Sequence, residues 1–403
     1  MPVGRRRAAL FAAALSLRLL LLVLFPSLPD LLTGRVEVST PVNSFKRLQE
    51  GIFLYTRNVS PYDGGVYHQA PLLLPIFSLL PNARDFPLPT ALIFSVIDLV
   101  NANALITISE SDQAVSGRLY TALRKHIRWS GVEIAAWFLF NPFTIATCLG
   151  RSTSVLTTTG ILYALSNAAN GNSLNAMLAL GFASYLSIYP GLLFIPLVLL
   201  CYDRHAQNAK SPLGMAIFAM QHFGIFLCSV TGLLAVSCLI IGDFYEFVSA
   251  TYGFQLLVPD LTPNVGLWWY FFIEIFDSFR EFFLGVFWLH LASYVGSLSI
   301  RLRRQPLFII TSLLGVFAIF KPYPSISDAS LYLALLPLYR HLFPSFYHLW
   351  IYAGSGNANF FYAITLVWSL GLSILLADTI FAALREEWEQ EHPEVRDKDV
   401  KQV

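Results

Sequence analysis

The residues best suited to bind a polar ligand lie in short stretches that interrupt otherwise apolar sequence. One of these, HLWIYAGSGNANFFYAITL at 348–366, combines glycines, asparagines and aromatics. Asn side chains donate and accept hydrogen bonds, aromatic faces pack on sugar rings, and glycines allow close backbone approach. At membrane depth such a break is tolerated where it is buried in protein or lines a cavity. We predict a ligand-binding wall with five candidate residues: Tyr352, Asn357, Asn359, Phe360 and Phe361. The alternative is a turn in which an asparagine caps the helix that follows.

Two further stretches carry candidate contacts. In SPYDGGVYHQAPLLLP, from position 60, the Pro and Gly residues dictate a turn, and Tyr62 and His68 are its candidate ligand contacts. The other interpretation is a solvated turn at the membrane surface. In YGFQLLVPDLTPNVGLWWYFF, from position 252, prolines forbid a continuous helix, so Asp260 is expected to cap a turn. Asp260 and Asn264 are the candidate contacts there.

The sequence carries no motif of a known catalytic centre. A P-loop, a G-x-S-x-G nucleophile and an H-E-x-x-H zinc site are all absent. Acids in the first loop are isolated from one another, and the segment TPVNSF at 40–45 contains none. The four cysteines lie in apolar runs without C-x-x-C spacing, which is typical of core residues. We therefore predict no catalytic residue, no metal and no cofactor.

One acidic cluster leaves two interpretations open. Glu274, Asp277 and Glu281 are spaced to share one face of a helix, and Arg280 could pair with them locally. Ionisable residues inside a membrane span indicate a functional site by default, whereas near a helix end they only mark the wet interface. Lys321, in the sequence FKPYP, is expected to extend its amine to the membrane surface.

Composition determines the class of protein. Hydrophobic residues make up 56% of the 403 residues and charged residues only 13%, whereas soluble proteins carry about 25% charged residues. The chain is therefore predicted to be an all-α polytopic membrane protein. Its net charge of +1 and the lack of a basic stripe argue against nucleic acid as a partner.

Charge distribution predicts the orientation of the first segments. Three arginines precede an apolar run at 8–25 that is longer than the core of a cleaved signal peptide, so we expect a retained span with its N-terminus in the cytosol. The loop at 26–70 is then lumenal. Within it, Phe45, Leu48, Ile52 and Tyr55 have the spacing of an amphipathic helix on the membrane surface.

The remaining apolar segments predict roughly ten to twelve membrane segments, some of them short or re-entrant. Basic residues at 118–128, 204–210 and 301–304 place those connections in the cytosol. The segment 174–202 contains Pro190 and is expected to form either two short passes or one broken helix, and 328–343 is barely long enough to span. We predict one membrane domain over 1–384 and a charged, solvated tail over 385–403. The predicted segments are 88–108, 131–149, 153–168, 174–202, 213–242, 268–300, 306–320, 328–343 and 360–384.

Long sequence strings carry a resemblance to a known family. The chain resembles the U subunits of GPI transamidase, the PIG-U family, in these strings: SPYDGGVYHQAPLL, FNPFTI, YGFQLLVPDLTPNVGLWWYFF, IFKPYPSISDASLYLALLPL and HLWIYAGSGNANFFYAITL. The resemblance implies a helical bundle similar to GT-C glycosyltransferases, above all the GPI mannosyltransferases. Those enzymes carry an acidic D-x-D upstream of the S-P-Y turn, and TPVNSF here lacks it.

The resemblance also implies a function. It points to a non-catalytic subunit of the endoplasmic-reticulum transamidase complex that recognises or presents the GPI glycolipid. The catalytic cysteine would lie in another subunit, and Asn357 and Asn359 match the asparagines implicated in the family's GPI site. One alternative is an active GT-C mannosyltransferase with a dolichol-linked donor and Asp63 as surrogate base. Another is a purely structural scaffold without a ligand.

The chain departs from the family at one place. Relatives carry a further apolar span between the segments that match Leu331–Leu342 and HLWIY, whereas only 343–347 separate them here. Loss of one span reverses the side on which the later segments emerge. Either 328–343 does not span, or a segment is omitted from the transcript or the gene assembly, and we favour the omission.

Sequencing full-length cDNA across codons 338–350 tests this interpretation. We expect the native transcript to contain an additional apolar segment at this junction. An uninterrupted transcript identical to this chain would refute the omission.

Overall fold

The structure is a computed structural model that describes residues 3–81, 86–115, 128–205 and 212–342, together with the isolated positions 367 and 392. All the regular structure among these residues is helical. Residues up to Arg340 form one compact unit, and His341–Val403 form a second. The five candidate residues between Tyr352 and Phe361 lie outside the described residues, as does the predicted tail.

Seventeen α-helices lie within the described residues. In chain order they are α1 Val3–Leu24, α2 Leu28–Thr33, α3 Phe45–Tyr55, α4 Leu73–Ser78, α5 Pro87–Glu110, α6 Gly131–Leu139, α7 Pro142–Leu149, α8 Ser154–Ala169, α9 Ser173–Leu186, α10 Phe194–His205, α11 Pro212–Ile241, α12 Phe244–Val248, α13 Phe254–Leu257, α14 Trp268–Glu274, α15 Asp277–Arg301, α16 Pro306–Phe320 and α17 Ile326–Leu335. Short 3₁₀ helices follow α5, α9 and α17, and a π-helix joins α12 to α13.

Four of the described helices are long and apolar enough to cross a membrane: α1, α5, α11 and α15. The pair α6 and α7 adds a fifth span if its halves, bent by 55° at Asn141, count as one. Within the described residues several of the predicted apolar segments are divided into shorter helices, and nearly all of the predicted segment 360–384 lies outside those residues. The segment 174–202 divides at the 3₁₀ helix Tyr189–Leu193, where Pro190 cannot continue α9. The chain is a polytopic helical membrane protein.

The core of the first unit is the group of short helices around α5. Helix α8 packs against α5 and α9, and α16 packs against α10 and α17. In the apolar window of α5, 56% of residues are buried, compared with 6% in α11 and 17% in α15. The two outer spans therefore present most of their apolar side chains away from this unit.

The connections gather at two ends of this bundle. At the end that we call the loop end, the N–H of Thr153 donates to the carbonyl of Asn43 (3.0 Å) and that of Ile326 to Glu37 (2.9 Å). At the opposite end, Arg204 donates to the carbonyls of Ala169 (2.6 Å) and Ser111 (3.2 Å). Most of the basic segments 118–128 and 204–210 lies outside the described residues, so the predicted sorting of connections stays a prediction.

The predicted acidic stripe is wrong as a feature of one helix. Glu274 ends α14 and Asp277 begins α15, because the backbone is extended at Ile275 and Phe276. Glu274, Asp277 and Glu281 are exposed. The Arg280 guanidinium donates to the carbonyl of Val258 (2.8 Å) instead of pairing with these acids.

A buried ion pair joins α1 to α5. The guanidinium of Arg18 donates through Nε (3.0 Å) and Nη2 (2.7 Å) to one carboxylate oxygen of Asp98, and both side chains are 2% exposed. A third hydrogen bond runs from Nη1 to the carbonyl of Ala14 (3.2 Å). Charges in a low-dielectric interior are tolerated when they are paired and hydrogen-bonded in this way.

A double-mutant cycle tests the importance of this pair. Arg18→Met alone leaves an uncompensated carboxylate, so we expect it to destabilise the protein by about 3–5 kcal/mol. Arg18→Met combined with Asp98→Leu removes both charges and should recover most of the loss. Thermal unfolding of the detergent-solubilised protein measures the effect, and losses that simply add in the double variant would contradict the coupling.

Candidate functional site

The first loop is held at the loop end by its own side chains. Gly65 adopts a left-handed conformation (φ 64°) in the predicted turn. The hydroxyl of Tyr62 donates to the carbonyl of Gln69 (2.9 Å), and that of Tyr67 to the carbonyl of Ala70 (3.2 Å). Tyr62 is 5% exposed. Its hydroxyl therefore serves to close the turn.

His68 lies inside the same loop region. Its Nδ1 donates to the carbonyl of Ala250 (2.8 Å), and its ring stacks on Phe254 with centroids 3.6 Å apart. Burial lowers the pKa of His68, the guanidinium of Arg47 acts in the same direction, and the hydrogen bond to Ala250 opposes both. A neutral ring is therefore favoured near neutral pH.

Asp260 and Asn264 shape the loop between α13 and α14. Asp260 Oδ1 accepts from the N–H of Thr262 (3.0 Å), which confirms the predicted turn cap, and its other oxygen lies 3.7 Å from Arg47. Asn264 Oδ1 accepts from the N–H of Gly266 (2.7 Å). Tyr323 closes this arrangement by donating to the carbonyl of Asp260 (2.9 Å).

A polar cavity lies among these loops and the helices beneath them. Its volume is ≈ 60 Å³. A single water requires about 10–15 Å³ by this measure, so the cavity holds a few waters or one polar group of a larger ligand. Residues from the first loop, the start of α4, α8, the end of α9, α13, the α16–α17 connection and α17 line it: Val42, Asn43, Gln69, Ala70, Leu73, Thr153, Ser154, Thr157, Thr158, Ile161, Leu186, Ser187, Gln255, Lys321, Asp328 and Leu331.

Gln69 joins the walls of the cavity. Its Nε2 donates to the carbonyl of Ser44 (2.6 Å), and its Oε1 accepts from the hydroxyl of Thr153 (2.9 Å). On the opposite wall, Gln255 Oε1 accepts from the hydroxyl of Ser187 (3.2 Å). Gln69 and Gln255 are each 2% exposed. The two amides thus connect separate segments of chain around the cavity.

One ion pair lies at the cavity. Lys321 Nζ is 2.6 Å from Asp328 Oδ1, and the two side chains are 14% and 22% exposed. Asp328 Oδ2 accepts from the N–H (2.8 Å) and the hydroxyl (3.1 Å) of Ser325 at the start of α17. The amine of Lys321 also lies 5.5 Å from the ring centre of Tyr189. Lys321 therefore does not extend to the membrane surface as predicted, because Asp328 holds it inside.

The cavity lacks the chemistry of a general base. Asp328 is the one acid among its described lining residues, and both of its oxygens are occupied by donors. The segment TPVNSF contributes Val42 and Asn43 to the wall, and Asn43 Oδ1 accepts from the N–H of Thr40 (2.6 Å). Asp63, the surrogate base of the alternative hypothesis, is exposed and does not line the cavity.

Metal and thiol chemistry also find no support in the described part of the chain. It contains no group of three or more His, Cys, Asp or Glu residues that could hold a metal ion. Cys148 and Cys201 are buried, as predicted for core residues, whereas Cys228 is exposed on α11. All four cysteines are free.

The predicted site residues and the observed cavity overlap only partly. Tyr62 and His68 pack next to it, whereas Asp260 and Asn264 brace a neighbouring loop, and none of the four lines the cavity. Sequence reasoning missed Thr153, Gln255 and Asp328. Lys321 and Asp328 could have been recognised as candidates, because both lie in IFKPYPSISD, one of the strings that carry the family resemblance.

Comparisons with known proteins agree with the resemblance. The family model described as "GPI transamidase subunit PIG-U" matches residues 12–345 and 341–368. The human "GPI-anchor transamidase component PIGU" is 34% identical over 403 residues, covering 91% of each chain. The yeast Saccharomyces cerevisiae "GPI transamidase component GAB1" is 34% identical over 402 residues, covering 94% of this chain and 95% of its own. The family match divides at 341–345, the junction at which a span was predicted to be missing.

The neutral ring of His68 predicts a pH dependence of stability. The unfolded chain binds the proton more readily than the folded one, so the stability that His68 contributes is complete above about pH 6.5 and is lost as the pH falls towards its folded-state pKa. His68→Gln keeps a donor for Ala250 but cannot titrate. We expect unfolding temperatures of the wild type to fall more than those of the variant between pH 7.5 and 5.5, and parallel curves would contradict a buried neutral ring.

Proposed function

Because the chain belongs to the PIG-U family of GPI transamidase subunits, we propose that it is a non-catalytic subunit that recognises or presents the GPI lipid. Its membrane would be that of the endoplasmic reticulum, with the N-terminus in the cytosol and the loop end in the lumen. Its partners would be the other transamidase subunits, one of which supplies the catalytic cysteine.

The observation that carries this proposal is the cavity at the loop end. GPI offers phosphates and sugar hydroxyls above lipid tails, and the cavity offers amides, hydroxyls and the Lys321 amine. Its volume admits one polar substituent and not a whole sugar ring, so the cavity would hold one part of the head group. Asn357 and Asn359, which lie outside the described residues, remain the predicted contacts for the rest.

Lys321 is the group that favours an anionic substituent. Lys321 pairs with the carboxylate of Asp328, and Ser325 holds the same carboxylate in place at the N-terminus of α17. A phosphate oxygen entering the cavity could share the ammonium, because Lys carries three donors. The same pairing argues against glycosyl transfer, because it leaves Asp328 without a free oxygen for proton abstraction.

Complementation of cells that lack this protein separates the hypotheses. We expect Lys321→Met to reduce the surface level of a GPI-anchored reporter by at least about tenfold, because a charge-assisted hydrogen bond contributes about 1.5–3 kcal/mol. Lys321→Arg should retain more activity. Arg303→Met, at the opposite end, is the control, and co-purification of the partner subunits checks that each variant assembles.

Lipid profiles of the same cells test the alternatives. Complete GPI precursor should accumulate in cells that lack the protein, because attachment fails after the lipid is made. An under-mannosylated intermediate would instead identify a mannosyltransferase. Asn357→Ala and Asn359→Ala should reduce attachment as well, and full anchoring by both in an assembled complex would favour a scaffold without a ligand.

A further inference from the structure

A second and larger space lies on the outer side of the loop end. Helix α3 forms one wall, and α4 with the beginning of α5 forms the other; we call this space the α3 groove. Its volume is ≈ 560 Å³, compared with ≈ 60 Å³ for the polar cavity. No residue is shared between the two linings, so the α3 groove is a separate feature.

The floor of the α3 groove is apolar and aromatic. Phe45 and Phe77 pack edge to face in its wall, with ring centres 6.2 Å apart. Ile52 and Phe53 continue the apolar surface along α3; Phe53 is 51% exposed, and the Arg57 guanidinium lies over one face of its ring, 3.5 Å from the ring centre. Such a surface is stabilised by hydrocarbon and destabilised by water.

The surroundings indicate that bilayer lipid reaches this groove. Side chains beside it are strongly exposed although apolar, among them Leu79 at 85%, Phe86 at 61% and Ile76 at 56%. Helix α5, which begins at Pro87 directly below the groove, is one of the candidate membrane spans. An amphipathic helix at the end of a span lies at the depth of lipid head groups.

One buried hydroxyl in the groove lacks a partner. Thr90 is 1% exposed and lines the groove, and its Oγ1 has no hydrogen-bond partner among the residues that the structure describes. A hydroxyl left unpaired away from water is energetically unfavourable. An acceptor supplied by a ligand, such as an ester carbonyl or a phosphate oxygen, would remove this cost.

The rim carries one charge of each sign. Lys46 and Glu50 are one turn apart on α3, both are exposed, and both line the groove. A cation beside an anion complements a head group with a phosphate and an ammonium joined by a two-carbon link. A primary ammonium donates three hydrogen bonds to such a carboxylate, whereas a quaternary ammonium donates none.

We propose that the α3 groove binds phosphatidylethanolamine from the bilayer. One acyl chain lies against Phe45 and Phe77, Thr90 donates to the glycerol ester or phosphate, Lys46 binds the phosphate, and Glu50 binds the ammonium. This site is independent of the GPI site proposed above. It would anchor the amphipathic helix α3, and the carbonyl of Ser44, the residue before α3, accepts from Gln69 of the polar cavity.

Lipid retention by the assembled complex tests the site. The complex is purified in nanodiscs of equal parts phosphatidylethanolamine and phosphatidylcholine and then transferred to detergent, and retained lipid is quantified by mass spectrometry. Thr90→Val should lower total retained phospholipid, and Thr107→Val is the matched control, because the Thr107 hydroxyl bonds within α5 to Asn103 (3.0 Å). Equal retention in the two variants would overturn the role of Thr90.

The head group is tested separately. Glu50→Gln should lower the ratio of phosphatidylethanolamine to phosphatidylcholine by about threefold or more, less than the tenfold of a full charged hydrogen bond because the rim is exposed. Glu110→Gln, exposed at the far end of α5, should leave the ratio unchanged. An unchanged ratio in Glu50→Gln would overturn the proposed head-group selectivity.

A photoreactive phenylalanine at position 53 identifies the occupant directly. A phospholipid adduct supports the proposal. An adduct to a partner subunit would show that a protein helix fills the groove, and a GPI adduct would show that the groove belongs to the proposed GPI site; either result overturns the proposal.

Discussion

Backbone groups freed where helices break inside a membrane protein must find new partners, and this requirement organises the loop end. Gln69 meets it most directly, because its amide binds the carbonyl of Ser44 and the hydroxyl of Thr153 at the same time. The first loop, α3 and the start of α8 are thereby joined at one point. Gln69 is only 2% exposed, so loss of one partner would weaken the link between these segments.

The use of polar side chains to hold the loops also explains why this polar region does not resemble a catalytic centre. Most of its polar atoms already hold the loops: Asn43 and Asp260 cap turns, Tyr62 and Tyr323 bind carbonyls, and Asp328 is held by Lys321 and Ser325. A base must have a free lone pair near its substrate. What remains accessible is a small space with donors and acceptors around it, which suits recognition better than proton transfer.

The long helices differ in how much of their surface is buried. Helix α5 is enclosed and carries Asp98 on its buried face, where the ion pair with Arg18 joins it to α1. Helices α11 and α15 expose most of their apolar surface. Exposed apolar spans are compatible with contact to lipid or to other subunits, as expected for one component of a membrane complex.

Composition and periodicity alone determined the membrane class, the position of α3 and the break within 174–202, because these depend on local properties: apolar content, 3.6-residue spacing and the missing N–H of proline. Phe45–Tyr55 was predicted from spacing, and the structure has a helix with these bounds. The site depended on contacts between residues far apart in sequence. Thr153, Gln255 and Asp328 meet at one cavity only because the N-terminal ends of α8, α13 and α17 lie at the same side of the bundle. The prediction for Lys321 was wrong for the same reason. Nothing in the local sequence FKPYP shows that Asp328, in the first turn of α17, lies next to the Lys321 amine.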